Sequence, residues 1–189
     1  MSRCILCCSR RRRPTQSPWD VFINHRGIDT KRSLAVLLYD HLNLHPFMDI
    51  KSMNPGDKLF QTIDNAIRNC KVGVSIFSPH YCESSFCLRE LTTLMESKKK
   101  IIPIFVDVKP SELRVIDNGS FRVKELPRFR WALDEAKYTV GFSFDSSNGD
   151  WSDLVTRVSN VVMESLIQEC PVWQDGHHNL VFLKNQGRK

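Results

Sequence analysis

The residue of this chain best placed to do chemistry is Glu90, within Phe86-Cys87-Leu88-Arg89-Glu90-Leu91. Cys87, Leu91, Leu94 and Met95 recur at i, i+4, i+7 and i+8, the apolar stripe of an α-helix. At about 100° per residue, Glu90 stands at the edge of that stripe. Its neighbours three and four positions away are Phe86, Cys87, Thr93 and Leu94, none of them basic, so no pair within the helix neutralises it. Glu96, in contrast, faces Lys99 and Lys100 at those spacings and reads as a solvated surface residue. A carboxylate in such surroundings is a candidate for work on a reacting group; the competing reading is a rim carboxylate paired with a cation elsewhere in the fold. Cys87 has no activating base beside it and reads as a small core residue rather than a nucleophile.

The segments that must position Glu90 alternate between short β-rich runs and helical patterns. Strands are expected at Asp20 to Ile23, Pro46 to Met48, Val72 to Phe77, Ile101 to Val106 and Val140 to Ser143, with Pro103 marking an edge or irregular position. A helix over Thr30 to Leu42 carries Leu34, Leu37, Leu38 and Leu42, capped by Asp29 or Thr30. A polar loop, Asp49 to Lys58, contains Pro55 and Gly56 and leads into an amphipathic helix, Leu59 to Asn69, on Leu59, Ile63, Ala66 and Ile67. Further helices follow at Leu126 to Lys137 and at Trp151 to Gln168, the last opened by Asp150 and striped by Leu154, Val155, Val158, Val161 and Val162. This order implies an α/β fold, an open parallel sheet with helices on both faces, whose ligands bind outside the carboxyl ends of the strands. Arg26 and Gly27 follow the first strand, the Asp49 to Lys58 loop the second and Ser78 the third, so all converge where the helix of Glu90 begins.

The 189 residues suit one domain of about 150 residues with short extensions: a leader at 1–16, a domain at 17–169 and a flexible tail at 170–189. Hydrophobic content of 41% and charged content of 25% are those of a soluble globular protein. No apolar run approaches the roughly 18 residues of a membrane span, and no secretory signal opens the chain, which points to the cytoplasm or nucleus. Seven cysteines without a regular framework fit a reducing compartment: Cys70, Cys82, Cys87 and Cys170 read as core or half-buried thiols, and no structural disulfide is expected. Much of the net charge of +6 lies in Arg3 and Arg10 to Arg13, before the first strand. Cys4, Cys7 and Cys8 beside that cluster resemble an S-acylation site, which with the basic residues would hold the chain at a membrane surface. The alternative is a disordered basic leader or import signal. No second ligand pair completes Cys4-x-x-Cys7, so no metal site is expected.

Five ordered motifs together resemble a plant-type Toll/interleukin-1 receptor (TIR) domain. They are Trp19-Asp20-Val21-Phe22-Ile23 with Arg26-Gly27 and Asp29-Thr30; Phe47-Met48-Asp49 running to Gly56; Ile76-Phe77-Ser78-Pro79-His80-Tyr81; Cys87-Leu88-Arg89-Glu90-Leu91; and Pro103-Ile104-Phe105-Val106-Asp107-Val108-Lys109-Pro110-Ser111-Glu112-Leu113-Arg114. The resemblance implies a flavodoxin-like fold with a five-stranded sheet. For many plant and bacterial relatives it also implies cleavage of NAD⁺ at the nicotinamide bond, with NAD⁺ a substrate and no cofactor required. Glu90 occupies the place of the family's catalytic glutamate. The resemblance further puts Arg26 on phosphate or ribose oxygens, Gly27 and Gly56 at sites of close approach or loop movement, and Asp29, Ser78, Phe86 and Cys87 around the substrate. Phe86 stands where relatives often have tryptophan, with core packing as its other reading. Relatives that self-associate commonly carry a Ser-His pair where this chain has Val36 and Leu37, and Ile28 replaces a frequent acidic residue.

Three functions compete. The first is a self-associating NAD⁺ glycohydrolase of innate immunity or cell death; the second is a non-catalytic adaptor that recruits other TIR domains. The third, a nucleic-acid-dependent cyclase, ranks last because the arginine cluster lies outside the domain, and no nucleic-acid partner is expected. A redox role is set aside, since no G-x-G-x-x-G follows the first strand.

Overall fold

Period-two alternation sorts the apolar residues onto the two sides of a sheet. The computed structural model describes residues 19–168 apart from Lys31, Asn43, Asn118 and Ser120. Strands β1 (Val21–His25), β2 (Pro46–Phe47), β3 (Val72–Phe77), β4 (Lys100–Val106) and β5 (Phe142–Phe144) form one parallel sheet in the order β2-β1-β3-β4-β5. Val21, Ile23, Val72, Val74, Ile76, Ile102, Ile104 and Val106 share one core with helices α2 (Leu34–His41) and α7 (Trp151–Gln168). The alternate residues Phe22, Phe77, Ile101 and Phe105 face α4 (Leu59–Asn69), α5 (Ser85–Glu96) and α6 (Leu126–Lys137). Gly73 lets α5 approach the sheet: a Cβ there would lie 2.9 Å from Ile101 Cδ1 and 3.0 Å from Leu94 Cδ2. The strand order reverses direction between β1 and β3, so the crevice of such a sheet opens beyond His25 and Phe77.

Several boundaries coincide with the sequence reading, including α4, β3, α6 and α7, and Asp150 Oδ1 caps α7 by accepting from the Ser152 and Asp153 amides at 2.8 and 3.2 Å. Three expectations are corrected. The single helix over Thr30 to Leu42 is two pieces, a turn α1 (Gly27–Thr30) and then α2, and neither Asp29 nor Thr30 caps it. Thr30 Oγ1 instead donates to the Arg26 carbonyl at 3.1 Å and meets His25 Nδ1 at 3.3 Å. The polar loop after β2 begins with a helical turn, α3 (Asp49–Ser52), held by the Met48 amide donating to Ser52 Oγ at 3.0 Å. Pro103 lies on an interior strand, not an edge. Its carbonyl lies against Gly141, so its missing N–H faces the β5 side just before that strand starts, where no ladder bond is lost.

Candidate active site

Helix α5 is pinned at its first turn. Ser84 caps it, its hydroxyl accepting from the Cys87 amide at 3.3 Å. The Cys87 carbonyl accepts from Asn24 Nδ2 at 3.0 Å and from Tyr81 Oη at 3.2 Å, and the Cys87 thiol donates to the His25 carbonyl at 3.4 Å. These buried bonds tie the start of α5 to the end of β1, one turn before Glu90.

Glu90 is half-buried and has no hydrogen-bond or ion-pair partner among the described residues. The described residues supply no cross-fold cation of the kind a purely structural carboxylate would need; the charges acting on it are those of Asp49 of α3 and Asp64 of α4. Burial, then these two negative charges, hold its carboxyl well above the ordinary 4.5. Asp49 in turn lies 3.8 Å from Nε2 of the buried His25. Neither Asp49 nor Asp64 stands out as a neighbour of Glu90 in the sequence, because only the packing of α3 and α4 beside α5 makes them so.

Arg26 is half-buried at the end of β1, with its Nε buried and without a partner among the described residues. Its side chain lines a concavity of about 440 Å³ beyond the ends of β1, β3 and β4, together with Pro79, Val108 and Arg114. Gly27 leaves open space around its Cα, since an added Cβ would meet nothing within 4 Å. Gly56 has φ +100° at the third position of the turn Asn54–Asp57, closed by the Asp57 amide donating to the Asn54 carbonyl at 3.1 Å. The turn is braced by the Asn54 amide donating to Asp57 Oδ2 at 2.8 Å. Gly56→Ala is expected to cost about 1–2 kcal/mol, because a Cβ disfavours that backbone region, and a urea titration of both proteins reads it.

Three other residues that the resemblance puts around the substrate are buried or turned inward. Ser78 is buried and donates to Asp29 Oδ2 at 2.6 Å; Cys87 is buried, and burial pushes its thiol up to about 12. Asp29 faces inward as well, accepting from the His80 amide at 3.1 Å and pairing with His80 Nδ1 at 2.8 Å. Ser78, Asp29 and His80 therefore latch α1 to the loop after β3 and position the Arg26-Gly27 turn. Asp29 sits below the ordinary 3.8: burial opposes this, and the bonds from Ser78 and His80 outweigh it. His80 is raised above 6.5, chiefly by its bond to Asp29. The aspartate's contribution is full above about pH 3.8 and lost as pH falls through its lowered value; the histidine's is full below about 6.5 and lost as pH rises through its raised value. Asp29→Ala, which strands the buried Ser78 hydroxyl, is expected to cost about 1–3 kcal/mol, most between about pH 4 and 6.5, measured as urea midpoints across pH.

Phe86 is not a core residue but 50% exposed, and it stacks on Phe60, 47% exposed, at 5.7 Å between centroids with planes 3° apart. Arg89 lies over the Phe60 ring at 4.7 Å and reaches Asp64 at 3.4 Å. Phe60 and His80 carry no role in the sequence reading. His80 stands in a motif beside Ser78 and was open to notice; Phe60 meets Phe86 only through packing of α4 on α5.

The model of the TIR domain family matches residues 18–175. The chain belongs to the TIR domain family. This TIR domain is 51% identical over 158 residues to a Brachypodium distachyon protein named probable 2' cyclic ADP-D-ribose synthase BdTIR, covering 80% of this chain and 70% of that one. It is 29% identical over 167 residues to the TMV resistance protein N of Nicotiana glutinosa, covering 78% of this chain and 14% of that protein. Among solved structures it resembles the TIR domains of the activated Roq1 resistosome that recognises the effector XopQ, with TM-score 0.67, 27% identity, and 76% and 99% of the two chains covered. Within the TIR domain, Leu37 is 45% exposed, Val36 is partly buried against the α2–α7 core, and Ile28 is 69% exposed. Cys70, Cys82 and Cys87 are free thiols. Cys4, Cys7, Cys8 and Cys170, and with them the acylation reading, lie outside the described residues.

Proposed function

We propose that this TIR domain cleaves NAD⁺ at the bond between nicotinamide and ribose, with Glu90 as the catalytic carboxylate. The observation that carries the reading is the half-buried, unneutralised Glu90 at the strand ends of the sheet, and the name of the Brachypodium relative supports the substrate. Nicotinamide leaves a cationic glycoside as a neutral molecule, so no general acid is required, unlike glycosides that need two carboxylates. What remains is a ribose carrying oxocarbenium charge. Glu90, where water screens charge weakly, opposes that charge and accepts a hydrogen bond from a ribose hydroxyl. Capture by water yields ADP-ribose; capture by a hydroxyl of the same molecule yields a cyclic ADP-ribose, the product class in the relative's name.

Arg26, with its unpartnered Nε, is the cation available to phosphate or ribose oxygens. Gly27 and Gly56 have open space around their Cα atoms, Phe86 offers an exposed ring, and in this reading NAD⁺ is consumed as substrate rather than held as a cofactor. The likeness to resistosome TIR domains and to disease-resistance proteins supports a signalling role in plant defence with assembly of several copies. A cytoplasmic or nuclear location, with membrane attachment through an acylated leader, remains part of this reading. The second reading, a recruiting adaptor, draws its weight from the apolar side chains of Ile28 and Leu37, both exposed. Nicotinamide release from NAD⁺ by the concentrated protein separates the two. Turnover favours the enzyme; none under conditions that demonstrably oligomerise the chain favours the adaptor.

A further inference from the structure

Beside the Glu90 site, a second concavity of about 420 Å³ lies between α4, α5 and the start of α6. Arg89, Thr93 and Glu96 turn the outer face of α5 into it, while Glu90 is the next residue, about 100° around the helix, and takes no part in its lining. Five cations and three carboxylates line the groove. Two carboxylates are already engaged: Asp64 by Arg89 at 3.4 Å, and Glu96 by a two-pronged bond from Arg128 at 2.7 and 2.8 Å. The side chains of Arg68, Arg122 and Lys124 are exposed and have no ion-pair or hydrogen-bond partner among the described residues, with Glu125 the one carboxylate left beside them.

The start of α6 adds to this excess. It is a helix of 12 residues whose N-cap, Glu125, makes no side-chain capping bond, and its first turn holds no acidic residue. That end thus lacks a side-chain cap, with Glu125 its one acidic residue, and Glu125, Arg128 and Phe129 bring it to the groove wall. A concavity, three unpaired cations and an uncapped helix start all call for the same ligand.

We propose that this groove binds a multiply charged phosphate anion, the diphosphate of a nucleotide or free pyrophosphate, separately from the site of Glu90. Arg122 and Lys124 contact the phosphates from the loop before α6, and Arg68 from the end of α4. Resting on the catalytic reading of Glu90, the groove is also inhibitory. A phosphate that draws Arg89 off Asp64 leaves that carboxylate's charge uncompensated beside Glu90 and favours the protonated glutamate.

Titration calorimetry of the full chain with pyrophosphate, and in parallel with ADP, tests the proposal. Expected are saturable binding that weakens steeply with salt, a loss of at least tenfold in affinity for Arg122→Ser/Lys124→Ser, and affinity equal to or above the parent's for Glu90→Gln, whose uncharged side chain stands in for the protonated glutamate that the anion favours. Arg130→Ser, which removes an exposed charge of α6 outside the groove, is the control and is expected to bind as the parent does. Tighter ADP than pyrophosphate assigns the groove to a nucleotide, and equal affinity to the phosphates alone; both support the site. No binding by the parent, or an equal loss in Arg130→Ser, overturns it. Nicotinamide release inhibited by pyrophosphate in the parent but not in the double variant supports the coupling, and equal inhibition in both overturns it. The calorimetry stands even if the chain releases no nicotinamide.

Discussion

Glu90→Gln is expected to lower nicotinamide release by about a hundred- to a thousandfold while unfolding no earlier than the parent. The amide keeps the size of the side chain and can still accept a hydrogen bond from ribose, but it carries no charge to oppose the oxocarbenium ion. The stability side follows from the site's electrostatics. Burial and the charges of Asp49 and Asp64 raise Glu90 above its ordinary 4.5, so the folded chain holds a proton over a pH range in which the unfolded chain has released it. Stability contributed by Glu90 therefore falls as pH rises from about 4.5 through the folded value, and glutamine, which never ionises, escapes the loss. Thermal melts at several pH values should show the variant equal to the parent below about 4.5 and equal or higher above it. The same groups set the pH profile of the parent, whose rate rises with pH as Glu90 ionises. Asp64→Asn removes one of the charges that oppose ionisation, so the rising limb should move to lower pH. A limb unmoved in Asp64→Asn would argue that another group controls it.

Phe77→Ala is expected to cost about 3–5 kcal/mol, enough to remove much of the stability of a domain this size. Phe77 has no exposed surface and packs on Phe105 at 5.2 Å and Tyr81 at 4.7 Å between ring centroids. The void would open beneath Tyr81, whose hydroxyl holds the Cys87 carbonyl at the start of α5. Glu90 is carried by that helix, so turnover per folded molecule should fall as well. Denaturant midpoints read the first effect, and rates measured well below the midpoint read the second.

The long periodic segments were legible because their signals are local. Helix α4 follows from Ile63, Ala66 and Ile67, β3 from the β-branched and aromatic residues Val72, Val74, Ile76 and Phe77, and α7 from an apolar stripe behind the Asp150 cap. Glu90 stood out for a related reason, since its neighbours one turn away are readable from spacing and none is basic. The break between α1 and α2 was not legible: it depends on Asp29 turning toward Ser78 and His80 and on Thr30 toward Arg26 and His25. A sequence shows that Asp29 and Thr30 are able to cap a helix, but not which partners will compete for them.

The order of strands and helices, the candidate carboxylate and the absence of a neutralising partner within its own helix were written in the chain, through periodicities of two and 3.6 residues that act over a few positions. Only the folded arrangement sets Asp49 and Asp64 beside Glu90, withdraws Ser78 and Cys87 from solvent, and stacks Phe60 on Phe86. Burial and charge–charge interactions depend on distance in space. They come into being when segments remote in sequence pack against one another.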